Sequence, residues 1–224
     1  RLKNGRLNEL PLDLHLDTVQ EAVDPDLGIR ADGTWRLVWF GVEPDQMNAE
    51  QHGPLASSKP HHFYRSQSAS LGDFPPPKVA IASSEGTTGG ADPTVLDLQD
   101  GAELMLVGPL DHNAMGWRSK DGQTWQSTAP PELDTGVRAA TPDALRDPGG
   151  GYRLYYMVNG APGRFGLSRS SDGQNWGPEQ IVMEDGDAFN ISVAVDRGGR
   201  WWAYYNRTDA DCLSQWGSAR VLPG

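Results

Sequence analysis

Asp24, Asp92, Thr141 and Asn190 each stand nine residues ahead of a glycine (Gly33, Gly101, Gly150 and Gly199). Two residues after each comes a second polar side chain: Asp26, Thr94, Asp143 and Ser192. Side chains two apart on a strand point the same way, so the two sets form eight polar positions on inward-facing strands. Four of the eight are carboxylates. Gathering them round one axis costs free energy unless a cation, water or a substrate compensates. Three kinds of chemistry suit such a set: acid–base work by Asp24 and Asp92, recognition of hydroxyl-rich ligands, and retention of a hard cation. A strand that begins with Asp-Pro after a turn is the bland reading of the same residues.

The elements that would position them repeat. VDPDLGIRADG from Val23, ADPTVLDLQDG from Ala91, ATPDALRDPGG from Ala140 and FNISVAVDRGG from Phe189 align without gaps. TWRLVWFG, AELMLVGP, YRLYYMVN and RWWAYYNR follow, so each unit reads as a hairpin of two strands about a glycine turn. A third strand ends in Arg-Ser at Ser66, Ser119 and Ser170, and a short fourth strand leads onward. Asp92, Thr141 and Asn190 are spaced by 49 residues. Four antiparallel strands at that period predict an all-β fold, a β-propeller forming a single domain over 1–224. The units run about 24–91 (with an insertion at 41–62), 92–140, 141–189, and 190–224 together with 1–23. Inner strands count to four blades, and a fifth hidden by divergence would have few residues to build it. The last unit stops at LSQWGSARVLPG without an outer strand. LPLDLHLDTVQEAVDPDL resembles the blade junction PPELDTGVRAATPDAL, so an N-terminal strand is expected to close the ring by pairing with the C-terminal blade, which removes sheet edges.

SKDGQTW at Ser119 and SSDGQNW at Ser170 resemble the Asp-box hairpin of sialidases and other propellers. This reads as a blade staple: Asp caps backbone amides, Gly tolerates positive φ, and Trp125 and Trp176 plug the gaps between sheets. The blade openings VDPDL and ADPTVL, with their apolar hairpins, resemble the five-bladed glycosidases that cleave arabinose, xylose or fructose polymers. The resemblance implies a propeller with a central funnel, a general-base Asp at Asp24, and at Asp92 an Asp that positions the site and tunes the acid. The general-acid Glu of that family would stand at Thr141, where no Glu is present. Hydrolysis needs two carboxyl groups about 5–5.5 Å apart for retention or roughly 6.5–9.5 Å for inversion, a spacing expected of Asp24 and Asp92 on adjacent strands.

Around the funnel, Glu21 and Asp187 lie three residues before Asp24 and Asn190 and are candidates for a missing acid. The insertion GVEPDQMNAEQHGPLASSKPHH is placed as a lid and brings His61 and His62 to the rim. Equivalent loops carry Asp111, His112 and Asn113, then Arg164, then Asn206 and Arg207, with Trp39, Trp117 and Tyr205 nearby. Amides, arginines and aromatics of this kind suit sugar hydroxyls, although most such aromatics belong in a core. The ring oxygens would serve Ca²⁺, yet no dedicated calcium loop is present; no other cofactor is expected, and adjacent His61 and His62 make a poor zinc pair.

A net charge of −11 argues against a nucleic-acid partner, and no apolar run approaches the ~18 residues of a membrane span. The one cysteine, Cys212, makes no intrachain disulfide and fixes no compartment. The uneven ring Asp, Asp, Thr, Asn favours one asymmetric site for a small molecule or oligosaccharide. Glycoside hydrolysis is the first expectation; the alternatives are a cyclase or isomerase working by carboxylate acid–base chemistry under a lid, and a non-catalytic sugar- or metal-binding propeller.

Overall fold

The computed structural model describes residues 2–3, 6–7, 23–41, 62–82, 90–109, 115–128, 132–133, 139–159, 163–186, 188–196, 198–208 and 214–221. Strands β1 (Leu2–Lys3) and β2 (Arg6–Leu7) pair with each other. The first large sheet runs β3 (Val23–Ile29), β4 (Trp35–Gly41), β5 (His62–Ser68) and β6 (Lys78–Ile81). The second runs β7 (Gly90–Asp97), β8 (Glu103–Pro109), β9 (Met115–Ser119) and β10 (Gln126–Thr128). β11 (Glu132–Leu133) makes a short parallel pair with β15 (Asn175–Trp176). The third sheet runs β12 (Ala139–Arg146), β13 (Tyr152–Val158), β14 (Arg164–Ser170) and β16 (Gln180–Glu184). The fourth has three strands, β17 (Ala188–Val195), β18 (Trp201–Thr208) and β19 (Ser214–Val221). All four are antiparallel meanders, and no helix occurs among the described residues. The ring-closing strand expected from the N-terminus falls within 8–22, outside the described residues; of those described, only β18 pairs with β19.

The glycine that recurs in sequence closes the same turn each time. Gly33, Gly101, Gly150 and Gly199 have φ of 82°, 82°, 107° and 77°. Each donates its N–H to the carbonyl three residues back, at 2.9, 3.1, 2.9 and 2.9 Å. Only glycine takes that φ without a Cβ penalty.

The sheets pack face to face in chain order. The second strands of the first three sheets, β4, β8 and β13, bury both faces and so read as continuous apolar runs. Leu104 and Leu106 of β8 meet Leu154, Tyr156 and Trp176 of the third sheet, while Met105 and Val107 turn to Val38, Phe40 and Phe63 of the first. On β13, Tyr155 and Met157 turn the other way, to Ile191, Val193 and Trp201. Trp125 and Trp117 are buried between the first and second sheets.

The two S-x-D-G-x-x-W turns are built alike. Ser119 Oγ accepts the Gly122 amide at 2.9 Å, and Asp121 Oδ1 accepts the amides of Gln123 and Thr124 at 2.8 and 2.7 Å. In the third sheet Ser170 and Asp172 do the same for Gly173, Gln174 and Asn175. These bonds hold both Asp carboxyls far below the usual carboxylate range. The turns also pack on the preceding sheet. A Cβ on Gly122 would lie 2.7 Å from Arg65 Nη2, and one on Gly173 would lie 2.8 Å from Leu98 Cδ2.

Between the first and second sheets lies an ion cluster. Glu103, 1% exposed, has Arg30 Nε and Arg65 Nη2 at 2.8 Å and Arg36 Nη1 at 3.5 Å from its Oε1. Arg36 also bonds Asp97 Oδ1 at 2.7 Å and the Val95 carbonyl at 2.5 Å. A buried charge set of this kind holds only while every member is present.

Candidate functional site

Each inner strand begins with a β-bulge, and the residue at the bulge has a left-handed backbone: Asp24 (φ 48°), Asp92 (53°), Thr141 (48°) and Asn190 (53°). The register shifts there in all four sheets, between Val23 and Asp26, Ala91 and Thr94, Ala140 and Asp143, and Phe189 and Ile191. Asp and Asn tolerate this conformation because their short side chains bond locally, whereas a β-branched residue there is an outlier. Thr141 is therefore strained. Its neighbour Pro142 packs so closely on the buried Gly108 of the second sheet that a Cβ at Gly108 would lie 2.9 Å from Pro142 Cδ.

The four bulges bring their residues to one cavity of about 280 Å³, which Tyr204 and Asn206 of β18 also line. This is at the small end of small-molecule sites, about 300–1,000 Å³. Asp26, Asp143 and Ser192 line it too, and they also line a second cavity of about 520 Å³, so they stand between the two.

Three of the four residues two past the bulges do structural work. Asp26 Oδ2 accepts the Val95 amide at 2.9 Å, Thr94 Oγ1 accepts the Ala144 amide at 2.9 Å, and Asp143 Oδ2 accepts the Val193 amide. Each side chain thus ties its strand to the next sheet by the same bond. Burial pushes Asp26 up to about 6, against the opposing pull of Arg36 and the Val95 amide. Burial, followed by the charge of Asp26, pushes Asp143 to about 7, although the Val193 amide and the Ser192 hydroxyl oppose the shift.

Asp24 and Asp92 are hydrogen-bonded to each other. Burial raises Asp24 and the bond to Asp92 pulls it back, while burial, the charge of Asp24 and the shared bond all raise Asp92. The two carboxyls therefore titrate as one coupled pair in which Asp92 is pushed up to about 8. The two carboxyls thus face each other at the openings of adjacent inner strands.

Other expected site residues lie elsewhere. Arg164 starts β14 with its side chain half in solvent, 3.8 Å from Glu184, and does not line the cavity. His62 is on β5 with its ring 6.1 Å from Tyr64, also away from the cavity. Trp39, Trp117 and Tyr205 are core. Arg207 is on β18 opposite Gln215, its side chain outside the described part. Glu21, His61, Asp111, His112, Asn113, Asp187 and the insertion at 42–61 lie outside the described residues. Among the described residues no three His, Cys, Asp or Glu side chains group to hold a metal ion.

Tyr204 escaped the sequence reading, and Asn206 was placed on a loop. The signal was available in the hairpin. Counting outward from the Gly199 turn pairs Ser192 with Tyr204, so Tyr204 shares the inward face and Asn206 follows two residues on.

No protein-family model and no curated protein sequence matches the chain. Solved structures do match. A protein of unknown function from Dyadobacter fermentans is 18% identical with a TM-score of 0.61, over 90% of this chain and 60% of that one. An exo-1,5-α-L-arabinanase from a bovine ruminal metagenomic library is 14% identical with a TM-score of 0.60, over 92% of this chain and 77% of that one. An α-L-arabinofuranosidase from Podospora anserina, solved with cellotriose, is 13% identical with a TM-score of 0.61, over 95% and 70%. The chain thus spans about three-fifths to three-quarters of the length of these structures. At such identities the likeness shows the fold, an all-β propeller type built on four antiparallel sheets like those of the glycosidases.

Proposed function

We propose that the chain is a glycan-processing propeller of the glycoside-hydrolase type, with one asymmetric site at the cavity mouth. The observation that carries this reading is the coupled Asp24–Asp92 pair, held in left-handed backbone at the opening of adjacent inner strands. The carboxylate of Asp24 serves as base toward water. Asp92, neutral at the same pH, keeps that base oriented and tunes it. The leaving group needs a proton from a third residue about 5–10 Å away, and Glu21 and Asp187 are the candidates. The S-x-D-G-x-x-W turns are read as Asp-boxes and the cavity as the mouth of a central funnel.

Turnover of 4-nitrophenyl α-L-arabinofuranoside and β-D-xylopyranoside tests the reading. Asp24→Asn and Asp92→Asn should each lose about 10²–10⁴-fold in kcat with an unchanged far-UV spectrum; equal rates in wild type and both variants would remove the pair from the mechanism. A second reading, a sugar-binding propeller without turnover, is favoured by one observation: Thr141 occupies the third-sheet position and carries no titratable group. It expects no turnover in wild type but retained sugar affinity.

A further inference from the structure

Three side-chain oxygens in this cavity have no hydrogen-bond partner although they are buried: Thr141 Oγ1, Asn190 Oδ1 and Asn206 Oδ1. The bulge-flanking residues Asp26, Thr94 and Asp143, equally polar, are all satisfied by amides. The unpaired atoms therefore concentrate on the third- and fourth-sheet side. Asn206 is 6% exposed and sits within a strand whose pairing continues past it to Thr208, so nothing in the local backbone requires an amide there. Two residues before it on the same face, Tyr204 is 44% exposed, although its neighbours Ala203 and Tyr205 are core. Two residues of strand span about 7 Å, the width of a sugar ring with its substituents.

We propose that Asn190, Tyr204 and Asn206, with Thr141, form a subsite that seats a neutral polyhydroxy ring. The ring lies against Tyr204 by its apolar face, and its hydroxyls donate to Asn190 Oδ1 and Asn206 Oδ1. Buried acceptors left unpaired are costly, and ligand hydroxyls supply the missing donors. The acceptors and the four carboxyls Asp24, Asp26, Asp92 and Asp143 share the cavity, so a ligand carboxylate meets oxygen where a hydroxyl meets a partner. The subsite rests on the reading of the cavity as a glycan site, but it assigns the sugar-holding work to the side opposite the carboxyl pair.

The experiment is calorimetric titration of the full chain with L-arabinose, D-xylose, D-galactose and D-galacturonate, for wild type, Asn206→Leu and Tyr204→Ala. Wild type should bind at least one neutral sugar, and D-galactose more tightly than D-galacturonate. Each variant should weaken the best neutral sugar about tenfold, the scale of one lost hydrogen bond to a buried acceptor. Asn206→Leu should also keep or raise the thermal midpoint, because it removes an unsatisfied buried carbonyl; a purely structural asparagine would lower it. Unchanged affinity in both variants, equal binding of galacturonate and galactose, or no sugar binding by wild type would each overturn the subsite. Aryl-glycoside turnover separates the two proposals. If Asp24→Asn abolishes it while Asn206→Leu and Tyr204→Ala bind normally, the subsite falls and the catalytic reading stands. Sugar affinity lost in Asn206→Leu and Tyr204→Ala, with no turnover in wild type, gives the reverse.

Discussion

Replacing Asp143 by Asn should change stability far more at alkaline than at acid pH. Asp143 sits between the two cavities, partly buried, with its pKa raised to about 7 from 3.8 by burial and the nearby charge of Asp26. A raised carboxyl pKa means that the folded chain takes up a proton. Its contribution to stability is fully present below the unfolded value near 3.8 and is lost as pH climbs through about 7. The difference, about 3 pH units at 1.36 kcal/mol each, amounts to roughly 4 kcal/mol at alkaline pH as an upper bound. Asparagine keeps a carbonyl oxygen to accept the Val193 amide and cannot ionise. At pH 5, about 1.2 pH units above the unfolded value, the variant should therefore be more stable than wild type by at most about 1.6 kcal/mol, and at pH 8.5 by up to about 4 kcal/mol. Urea unfolding followed by tryptophan fluorescence at both pH values reads the difference. The turn carboxylates do not confuse it: the pKa values of Asp121, Asp172 and Asp196 are depressed, so their contribution is lost only as pH falls below the ordinary carboxylate range. The same stability difference at pH 5 and pH 8.5, or a variant weaker than wild type at pH 8.5, would refute the argument.

Two further substitutions probe the scaffold. Thr141→Asn puts a residue that tolerates left-handed φ where a β-branched one is held at 48°; it should raise the unfolding free energy by about 1 kcal/mol, the lower end of such strain, measured by urea titration at pH 5. Glu103→Gln leaves Arg30, Arg36 and Arg65 without their shared carboxylate and should cost about 3–5 kcal/mol by the same titration, while an unchanged midpoint would show that solvent already screens the cluster.

Much of the architecture was legible because its causes are local. A glycine nine residues past each inner-strand opening could be read directly, since its turn needs positive φ whatever surrounds it. The apolar runs of β4, β8 and β13 followed from burial of both faces. The site was legible by position and less so by role. Period-two alternation placed Asp24 and Asp26 on one inward face, and both do line the cavity. What alternation could not show is the bulge between Val23 and Asp26, where one residue drops out of register and takes a conformation of its own. Nor could it show that Asp26, Thr94 and Asp143 spend their oxygens on amides of the next sheet, since that bond depends on how far neighbouring sheets are offset. Tyr204 and Tyr205 are indistinguishable by composition, and only the register counted from Gly199 separates the cavity from the core.

The contact between Asp24 and Asp92 limits the chemistry more than the fold does. Propeller sheets bring inner strands together at every blade, so carboxyls there are held at a distance set by packing, and here that distance is a hydrogen bond. Two carboxyls so held titrate as one coupled system, with Asp92 raised by burial and by the charge of Asp24. The third inner strand opens on a strained threonine whose hydroxyl has no partner. Strain and unsatisfied atoms persist only where surrounding structure over-determines them. Here both meet at the bulge of Thr141, one residue pair away from side chains that bond amides of the next sheet, and that contrast sets the bulge side of the cavity apart from its scaffold.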